Sequence, residues 1–286
     1  MKKLLIVFLL LMPFASQAEQ VDCNDRANEI RMSDRLDEAI DVLSACLSEE
    51  LSRVARTYLL LGLTYYDSGE QRNAIANYSK AIEFAPGYVT AYANRGLSYS
   101  MKGDYEEALA DFDKAIELDP AYMQAYYFRA FAHQIDGNYR RAIEDFSTAL
   151  TMTDETNEMA SIYYSRGRAN KELKRFADAY SDYGQAISLK PNEADYYYSR
   201  ALLHHERKDN DEAIADYSRT IELNDQHARA FYNRGLLYRK AGTDFLAIRD
   251  FEAATDIEPS FARAHANRGY TYMIPVIPLL FILALG

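Results

Sequence analysis

Apolar residues recur along most of the chain at intervals of three and four residues, with polar residues between them. This spacing predicts amphipathic helices, because it places the apolar side chains on one helix face. The clearest stretch predicts one helix from Val89 to about Met101, a turn at Gly103-Asp104, and a second helix from Tyr105 to about Leu118. The Asp119-Pro120 pair that follows is typical of a helix end.

The same helix pair recurs every 34 residues, with one step of 37 caused by an insertion near Asp154-Glu155-Thr156. Successive units begin at Ala55, Val89, Met123, Ala160, Ala194, Ala228 and Ala262. Small residues that let the paired helices approach recur as Gly62/Ala74, Gly96/Ala108, Ala130/Ala142, Gly167/Ala179, Ala201/Ala213 and Gly235/Ala247. A fixed period of this length predicts a stacked repeat array rather than a domain with a single core.

The unit length and the recurring Gly/Ala, aromatic and Pro positions resemble the tetratricopeptide repeat (TPR) family over residues 55 to 272. The Trp that the family often has in the first helix is replaced here, and the chain contains no Trp. Its place is taken by Tyr58, Tyr92, Tyr126, Tyr163, Tyr197, Phe231 and His265. The resemblance implies an all-α fold, a right-handed superhelical solenoid of antiparallel helix pairs whose first helices line a concave groove.

These patterns divide the chain into five segments. Residues 1–18 are predicted to be a signal peptide and residues 19–54 a degenerate N-terminal repeat or cap. Residues 55–261 contain six repeat units, residues 262–273 a half repeat, and residues 274–286 an apolar tail.

The first 18 residues combine Lys2 and Lys3, an apolar run from Leu4 to Met12 and a small residue at Ala18. This order is typical of a secretory signal peptide, and the run is shorter than the roughly 20 residues of a membrane-spanning helix. We expect cleavage after Ala18 and export to a bacterial periplasm.

Cys23 and Cys46 are the only cysteines, and both lie in the degenerate first repeat. In an exported protein a disulfide between them is the first interpretation. It would join adjacent ends of a helical hairpin and stabilise the terminal repeat by roughly 3 kcal/mol. The alternative is two buried thiols in a helix interface.

The formal net charge is −11. Such an acidic surface argues against nucleic acid and anionic lipid as general partners. The sequence contains no Gly-rich phosphate loop, Cys-x-x-Cys pair or nucleophile elbow, and no histidines spaced as metal ligands. The sequence therefore predicts no enzyme activity, cofactor or metal site.

Two further regularities concern packing. An Arg in the first helix and an Asp in the second recur in five units, whereas the unit at Ala55 has Leu61 and Asn77 in those places. This predicts a structural ion pair, either within a unit or across the junction to the next. The turn glycine of the other units is replaced by Lys174 and Lys208, so we expect weaker turns there, or another loop.

Four tyrosines stand at one position of consecutive first helices, with basic and aromatic residues nearby. Tyr and Arg are enriched at binding hot spots, and the resemblance adds an Asn that holds peptide backbone in family members. The family's carboxylate clamp is incomplete here. The groove is predicted to bind an extended peptide, its basic end taking a carboxylate. The residues are Asn94, Tyr127, Phe131, Tyr164, Arg168, Tyr198, Arg229, Tyr232, Asn233, Arg263 and Asn267. The alternative is that the tyrosines only pack between units.

The tail after Met273, IPVIPLLFILALG, has no polar side chain. Three interpretations are open: a truncated or frame-shifted reading frame, a membrane-surface or membrane-inserting tail, and a segment tucked over the last repeat. Membrane contact is expected only through this tail.

The sequence favours an exported adaptor or scaffold that recognises a peptide or protein segment through its concave face. The alternatives are a regulatory or targeting subunit of a cell-envelope enzyme and a self-associating structural solenoid. The identity of a partner is not encoded in the repeat pattern.

Overall fold

The structure is a computed structural model that describes residues 17–32, 35–45 and 51–273. These residues form helices and short connections, with no strand among them. The helices are α1 Gln17–Met32, α2 Leu36–Ala45, α3 Leu51–Asp67, α4 Gln71–Phe84, α5 Val89–Lys102, α6 Tyr105–Leu118, α7 Met123–Ile135, α8 Tyr139–Leu150, α9 Thr156–Glu172, α10 Phe176–Leu189, α11 Ala194–Arg207, α12 Asn210–Leu223, α13 Ala228–Lys240, α14 Asp244–Ile257 and α15 Ala262–Met273.

The predicted helix pair is confirmed by α5 and α6, which have the predicted starting residues. Two first helices begin earlier than the repeat pattern predicts, at Leu51 in α3 and at Thr156 in α9. The helices α5, α7, α11 and α15 each begin three residues after a proline, and proline cannot continue a helix interior. No proline precedes α3 or α9 in this way, so their first turns extend toward the N-terminus.

The chain divides into two compact units between Met152 and Thr153, next to the predicted insertion. Each unit is built from consecutive antiparallel helix pairs. In α5 and α6 of the first unit, a Cβ built on Gly96 would lie only 2.8 Å from Cε1 of Phe112, which is fully buried. In α13 and α14 of the second unit, the same distance from Gly235 to Phe251 is 2.9 Å. The small residues therefore permit the close helix approach predicted from the sequence.

The turn between the helices of a pair uses a left-handed residue. Gly69, Gly103, Gly137 and Gly242 have φ between 76° and 90°. Lys174 and Lys208 adopt the same conformation, with φ of 57° and 67°. The expectation of another loop at these lysines is wrong, because the surrounding helices impose one turn geometry on every unit.

The Arg–Asp pairs form within a repeat. Arg95 donates from Nε and Nη2 to the two carboxylate oxygens of Asp111 at 2.7 Å, and the Asp111 side chain is 8% exposed. Equivalent pairs join Arg129 to Asp145, Arg166 to Asp182, Arg200 to Asp216 and Arg234 to Asp250. The sequence had left the junction between units as an alternative, and the structure decides for the pair within a unit.

Several predictions lie outside the described residues: nearly all of the signal peptide, the apolar tail 274–286 and the disulfide. Cys23 lies in α1, but its side chain is not described, and Cys46 follows α2 beyond the described part. Within the described ranges, no helix has the length and apolar character needed to cross a membrane.

Candidate functional site

The predicted tyrosines connect consecutive helix pairs in the second unit. Tyr198 of α11 lies with its ring 5.9 Å from Tyr217 of its own pair and 4.4 Å from His227 at the start of the next pair. Tyr164 and Tyr232 repeat the arrangement. Their partners are Tyr183 and Tyr196 for Tyr164, and Phe251 and Phe261 for Tyr232. The rings are half-buried, so they pack between repeats and also retain an accessible edge.

The tyrosine hydroxyls form a second link between pairs. The Asn233 Nδ2 atom donates to the Tyr198 hydroxyl at 3.2 Å, and Asn267 Nδ2 donates to the Tyr232 hydroxyl at the same distance. The Tyr164 hydroxyl lies 3.1 Å from Oγ of Ser199, which stands at the corresponding position. These hydrogen bonds fix the tyrosine rings and the Asn side chains in one layer.

A cavity of about 410 Å³ lies beside this layer in the second unit. Five of the predicted groove residues line it, and they come from three successive first helices. The lining is completed by the connection between α14 and α15. The lining residues are Tyr198, Arg229, Tyr232, Asn233, Glu258, Ser260, Phe261, Ala262 and Arg263.

The cavity combines aromatic walls with a charged rim. Arg229 and Arg263 are exposed, whereas Tyr198 and Tyr232 are partly buried beneath them. Burial raises the pKa of Tyr198 above its ordinary value, against the opposing effect of Arg229, so its hydroxyl is neutral at neutral pH. A guanidinium group suits a carboxylate because its N–H donors match the two oxygens. The arrangement can therefore hold an acidic group at the rim and an apolar side chain on the aromatic rings.

The remaining predicted residues do not line this cavity, although Asn267 is hydrogen-bonded to Tyr232, which does. Arg168 is exposed, with its guanidinium 6.0 Å from the Tyr164 ring. In the first unit, the Tyr127 ring contacts Phe131 at 4.9 Å and Phe146 at 6.0 Å. The Asn94 Nδ2 atom donates to the Thr90 carbonyl of its own helix at 2.8 Å.

The aromatic residues that directly precede four of the first helices were not predicted from the sequence. His227 and Phe261 occupy this place and cover the tyrosines, and Tyr88 and Tyr122 stand there in the first unit. His227 also accepts a hydrogen bond at Nδ1 from the Ala230 backbone N–H at 3.1 Å. Comparing the residue directly before the start of each 34-residue unit would have revealed this aromatic position.

No group of three or more His, Cys, Asp or Glu side chains in the described segments is placed to hold a metal ion.

Comparison with known proteins agrees with the repeat geometry. Models of the tetratricopeptide repeat match residues 89–122 and 160–193, and a TPR repeat model matches residues 62–103 and 203–242. A comparison with curated proteins finds no match.

Among solved structures, YrrB, a TPR protein with an unusual peptide-binding site, is 28% identical with a TM-score of 0.56, and the match covers 67% of this chain and 97% of YrrB. MamA is 27% identical with a TM-score of 0.54, covering 61% of this chain and 94% of MamA. The pilF protein of Pseudomonas aeruginosa is 17% identical with a TM-score of 0.67, covering 78% of this chain and all of pilF, and shows the fold alone. With its repeated helix pairs, its Gly–aromatic contacts and these matches, the chain belongs to the tetratricopeptide repeat family.

Proposed function

We propose that this protein is an adaptor or scaffold that binds a partner's extended, acidic peptide segment in the cavity between α11, α13 and α15. The observation that carries the proposal is the convergence of Tyr198, Tyr232, Asn233, Arg229 and Arg263 on one cavity. The tyrosines supply contact area at low cost in side-chain entropy, and the arginines supply charge complementarity. The proposal assigns no reaction to the protein.

Two further observations support this function. The protein YrrB, which the chain resembles over most of YrrB's length, has a peptide-binding site. The cavity rim carries two Arg residues and one Glu on a chain with a formal net charge of −11. A local excess of positive charge on an acidic protein favours an acidic ligand over other segments. We also propose a location in the bacterial periplasm, which the signal-like pattern of the first 18 residues supports.

The ligand chemistry can be tested by selecting peptides from a displayed random library against the full-length chain. We expect the selected peptides to contain an acidic residue or to need a free C-terminal carboxylate, with an apolar residue nearby. Each selected peptide is then compared with a matched peptide in which the acid is replaced by its amide. Since a hydrogen bond to a charged group contributes about 1.5 to 3 kcal/mol, the amide should bind about tenfold or more weakly.

The location of the bound peptide can be tested by substituting exposed arginines, because such substitutions leave the helix packing intact. Arg229→Glu should weaken binding about tenfold or more, whereas Arg175→Glu, another exposed arginine of the second unit, should leave it unchanged. Both variants should melt at the parent temperature. If the two variants bind the selected peptides as the parent does, the ligand lies elsewhere and the proposal is wrong.

A further inference from the structure

A second cavity, of about 340 Å³, lies in the first unit and is lined by residues of α6, α7 and α8. Five of its seven lining residues are charged, and Leu109 is the one aliphatic side chain among the seven. None of the seven was predicted to bind a peptide. The volume is that of a small-molecule site, and the charged lining favours a polar ligand.

His133 of α7 is a buried polar side chain that lines this cavity. It is 6% exposed, and its Nδ1 atom is enclosed without a hydrogen-bond partner in the described part of the chain. Nε2 makes no hydrogen bond to a described residue either, and it is the ring nitrogen that a molecule in the cavity can reach. Burial lowers the pKa of His133, so the ring is neutral at neutral pH and offers one acceptor. Because buried polar groups are nearly always paired, this unpaired ring points to a ligand.

The residues at the same repeat position in α9 and α11 are close to the aspartate of their own helix pair. Asn170 donates from Nδ2 to Asp182 at 2.9 Å, and Nε2 of His204 lies 3.9 Å from a carboxylate oxygen of Asp216. Among the described residues, His133 forms no such contact with the aspartate of its pair. The ring of His133 is therefore not held as its two equivalents are, and its polar edge is available to the cavity.

Arg129 already pairs with two of the three carboxylates of the cavity. It donates to Asp145 from Nε at 2.8 Å and from Nη2 at 2.6 Å, and to Asp113 from Nη1 at 2.6 Å. Arg141 and Glu144 are both exposed, and neither forms an ion pair with a described residue. They lie three residues apart, on one face of α8. Within the described part of the chain, the cavity thus offers an unpaired cation and an unpaired anion beside the neutral ring.

This combination of charges is confined to α8. The equivalent residues are Glu107 and Ala110 in α6, and Asp178 and Ser181 in α10. No other second helix in the described ranges carries opposite charges at these two positions. The repeat fold does not require the two charges, since the other helix pairs form without them.

We propose that this cavity binds a small zwitterion, a free α-amino acid. The carboxylate of the ligand pairs with Arg141, and its ammonium group pairs with Glu144 and donates a hydrogen bond to Nε2 of His133. The side chain of the amino acid lies against Leu109. A guanidinium group matches the two oxygens of a carboxylate, and an ammonium group supplies three donors for carboxylate and imidazole acceptors. The site shares no residue with the peptide cavity, so this binding function is separate from the proposed adaptor function.

The test titrates each common L-amino acid into the full-length chain in a calorimeter, up to about 10 mM so that weak binding is detected. We expect saturable binding of at least one amino acid, with one molecule bound per chain. Two matched derivatives of that amino acid are then compared with it. The N-acetyl form lacks the ammonium group, and the amide lacks the carboxylate and mimics the N-terminus of a polypeptide. Each derivative should bind about tenfold or more weakly than the free amino acid.

Variants of the lining residues locate the bound amino acid. Arg141→Gln and Glu144→Gln, both at exposed positions, should each weaken binding about tenfold and leave the melting temperature unchanged. His133→Asn introduces the residue that α9 has at Asn170, so it should fold as the parent does and also weaken binding. The matched control is Arg140→Gln, because Arg140 is exposed on α8 and does not line the cavity. This control should bind as the parent does.

Arg229→Glu, which alters the peptide cavity, should leave amino-acid binding unchanged, so the two sites are judged separately. Three results would overturn the proposal. The first is that no amino acid binds, which would leave the cavity to water. The second is equal affinity for the N-acetyl form or the amide, which would show that a zwitterion is not required. The third is equal affinity of the parent, Arg141→Gln and Glu144→Gln, which would place the ligand elsewhere.

Discussion

One arginine side chain in each of several repeats links more than one neighbouring helix. Arg129 of α7 donates two hydrogen bonds to Asp145 of α8 and a third to Asp113 of α6, at 2.6 to 2.8 Å. Hydrogen bonding to Asp145 raises the pKa of Arg129. Burial raises the pKa of Asp111 in the equivalent pair, and the hydrogen bonds from Arg95 oppose that rise. The arginines are therefore packing residues and not groove ligands.

Removing one partner of an Arg–Asp pair should lower the free energy of unfolding more than replacing both partners. Asp111→Asn leaves the Arg95 guanidinium mostly buried without its counter-charge, and we expect the free energy of unfolding to fall by about 3 kcal/mol. The double variant Arg95→Leu with Asp111→Asn copies the Leu61 and Asn77 of the unit that begins at Ala55, and should cost less than half as much. Urea denaturation followed by circular dichroism compares the two. A double variant less stable than the single one would contradict this account.

Three histidines, of which His133 is buried and the other two are partly buried, should make stability fall in mild acid. Burial lowers the pKa of His133, His205 and His227 below the value of the unfolded chain. The unfolded state then binds more protons, so their contribution is complete above about pH 6.5 and decreases as the pH falls through that value. We expect a lower melting temperature at pH 5.5 than at pH 7.5. His227→Asn, which can still accept the Ala230 N–H, should reduce the difference, and an unchanged difference would exclude His227 as a contributor.

At the scale of single residues, the sequence predicted contacts between residues that recur in register. It did not predict contacts that depend on how neighbouring helices pack. The Arg–Asp pair was predicted because both residues recur in register, and because Leu61 and Asn77 replace both together. The sequence left open whether the pair lies within a unit, since the Asp recurs at a regular interval on the second helices of five consecutive units. The third contact of Arg129, to Asp113, was not predicted because Ser79, Gly184 and Ser218 stand at that position in other units.

At the scale of the helix pair, the packing of the two helices sets the conformation of the turn, even where the turn residue is not glycine. Lys174 and Lys208 adopt the left-handed conformation that glycine takes in four other turns. A side chain in this conformation is unfavourable by roughly 1 kcal/mol. The sequence predicted the strain correctly, but it could not show that two flanking helices suffice to hold the turn.

Glycine at position 174 or 208 should therefore stabilise the second compact unit, which begins at Thr153. We expect Lys174→Gly and Lys208→Gly each to raise the free energy of unfolding by up to about 1 kcal/mol, since the relief of strain outweighs the added freedom of the unfolded chain. The reverse change, Gly242→Lys, serves as the matched control and should lower it by a similar amount. Chemical denaturation measures all three. Destabilisation by Lys174→Gly would mean that the lysine side chain contributes more than its backbone costs.

The repeat pattern also predicted the helices better than their ends. The starts of α5 and α6 follow from the Gly103-Asp104 turn and the repeat period, and both were predicted to the residue. The early start of α9 at Thr156 was not predicted, because residues 154–156 interrupt the repeat period and no glycine or proline marks a helix boundary there.

At the scale of the whole molecule, the candidate site was predicted in part. Tyr198, Arg229, Tyr232, Asn233 and Arg263 were named from their repeat positions and line one cavity. Glu258, Ser260 and Phe261 were missed because they belong to a connection, where helical periodicity gives no information. The tyrosines pack between repeats, as one of the two interpretations left open by the sequence predicts. Peptide binding by their accessible edges stays a prediction.

The central claim is that a peptide binds between α11, α13 and α15. The most direct test is amide hydrogen exchange of the full-length chain with and without a selected acidic peptide. The account predicts slower exchange at the starts of α13 and α15 and in residues 258–261, with the first unit unchanged. Protection confined to other helices, or equal protection in Arg229→Glu at the same peptide concentration, would contradict it.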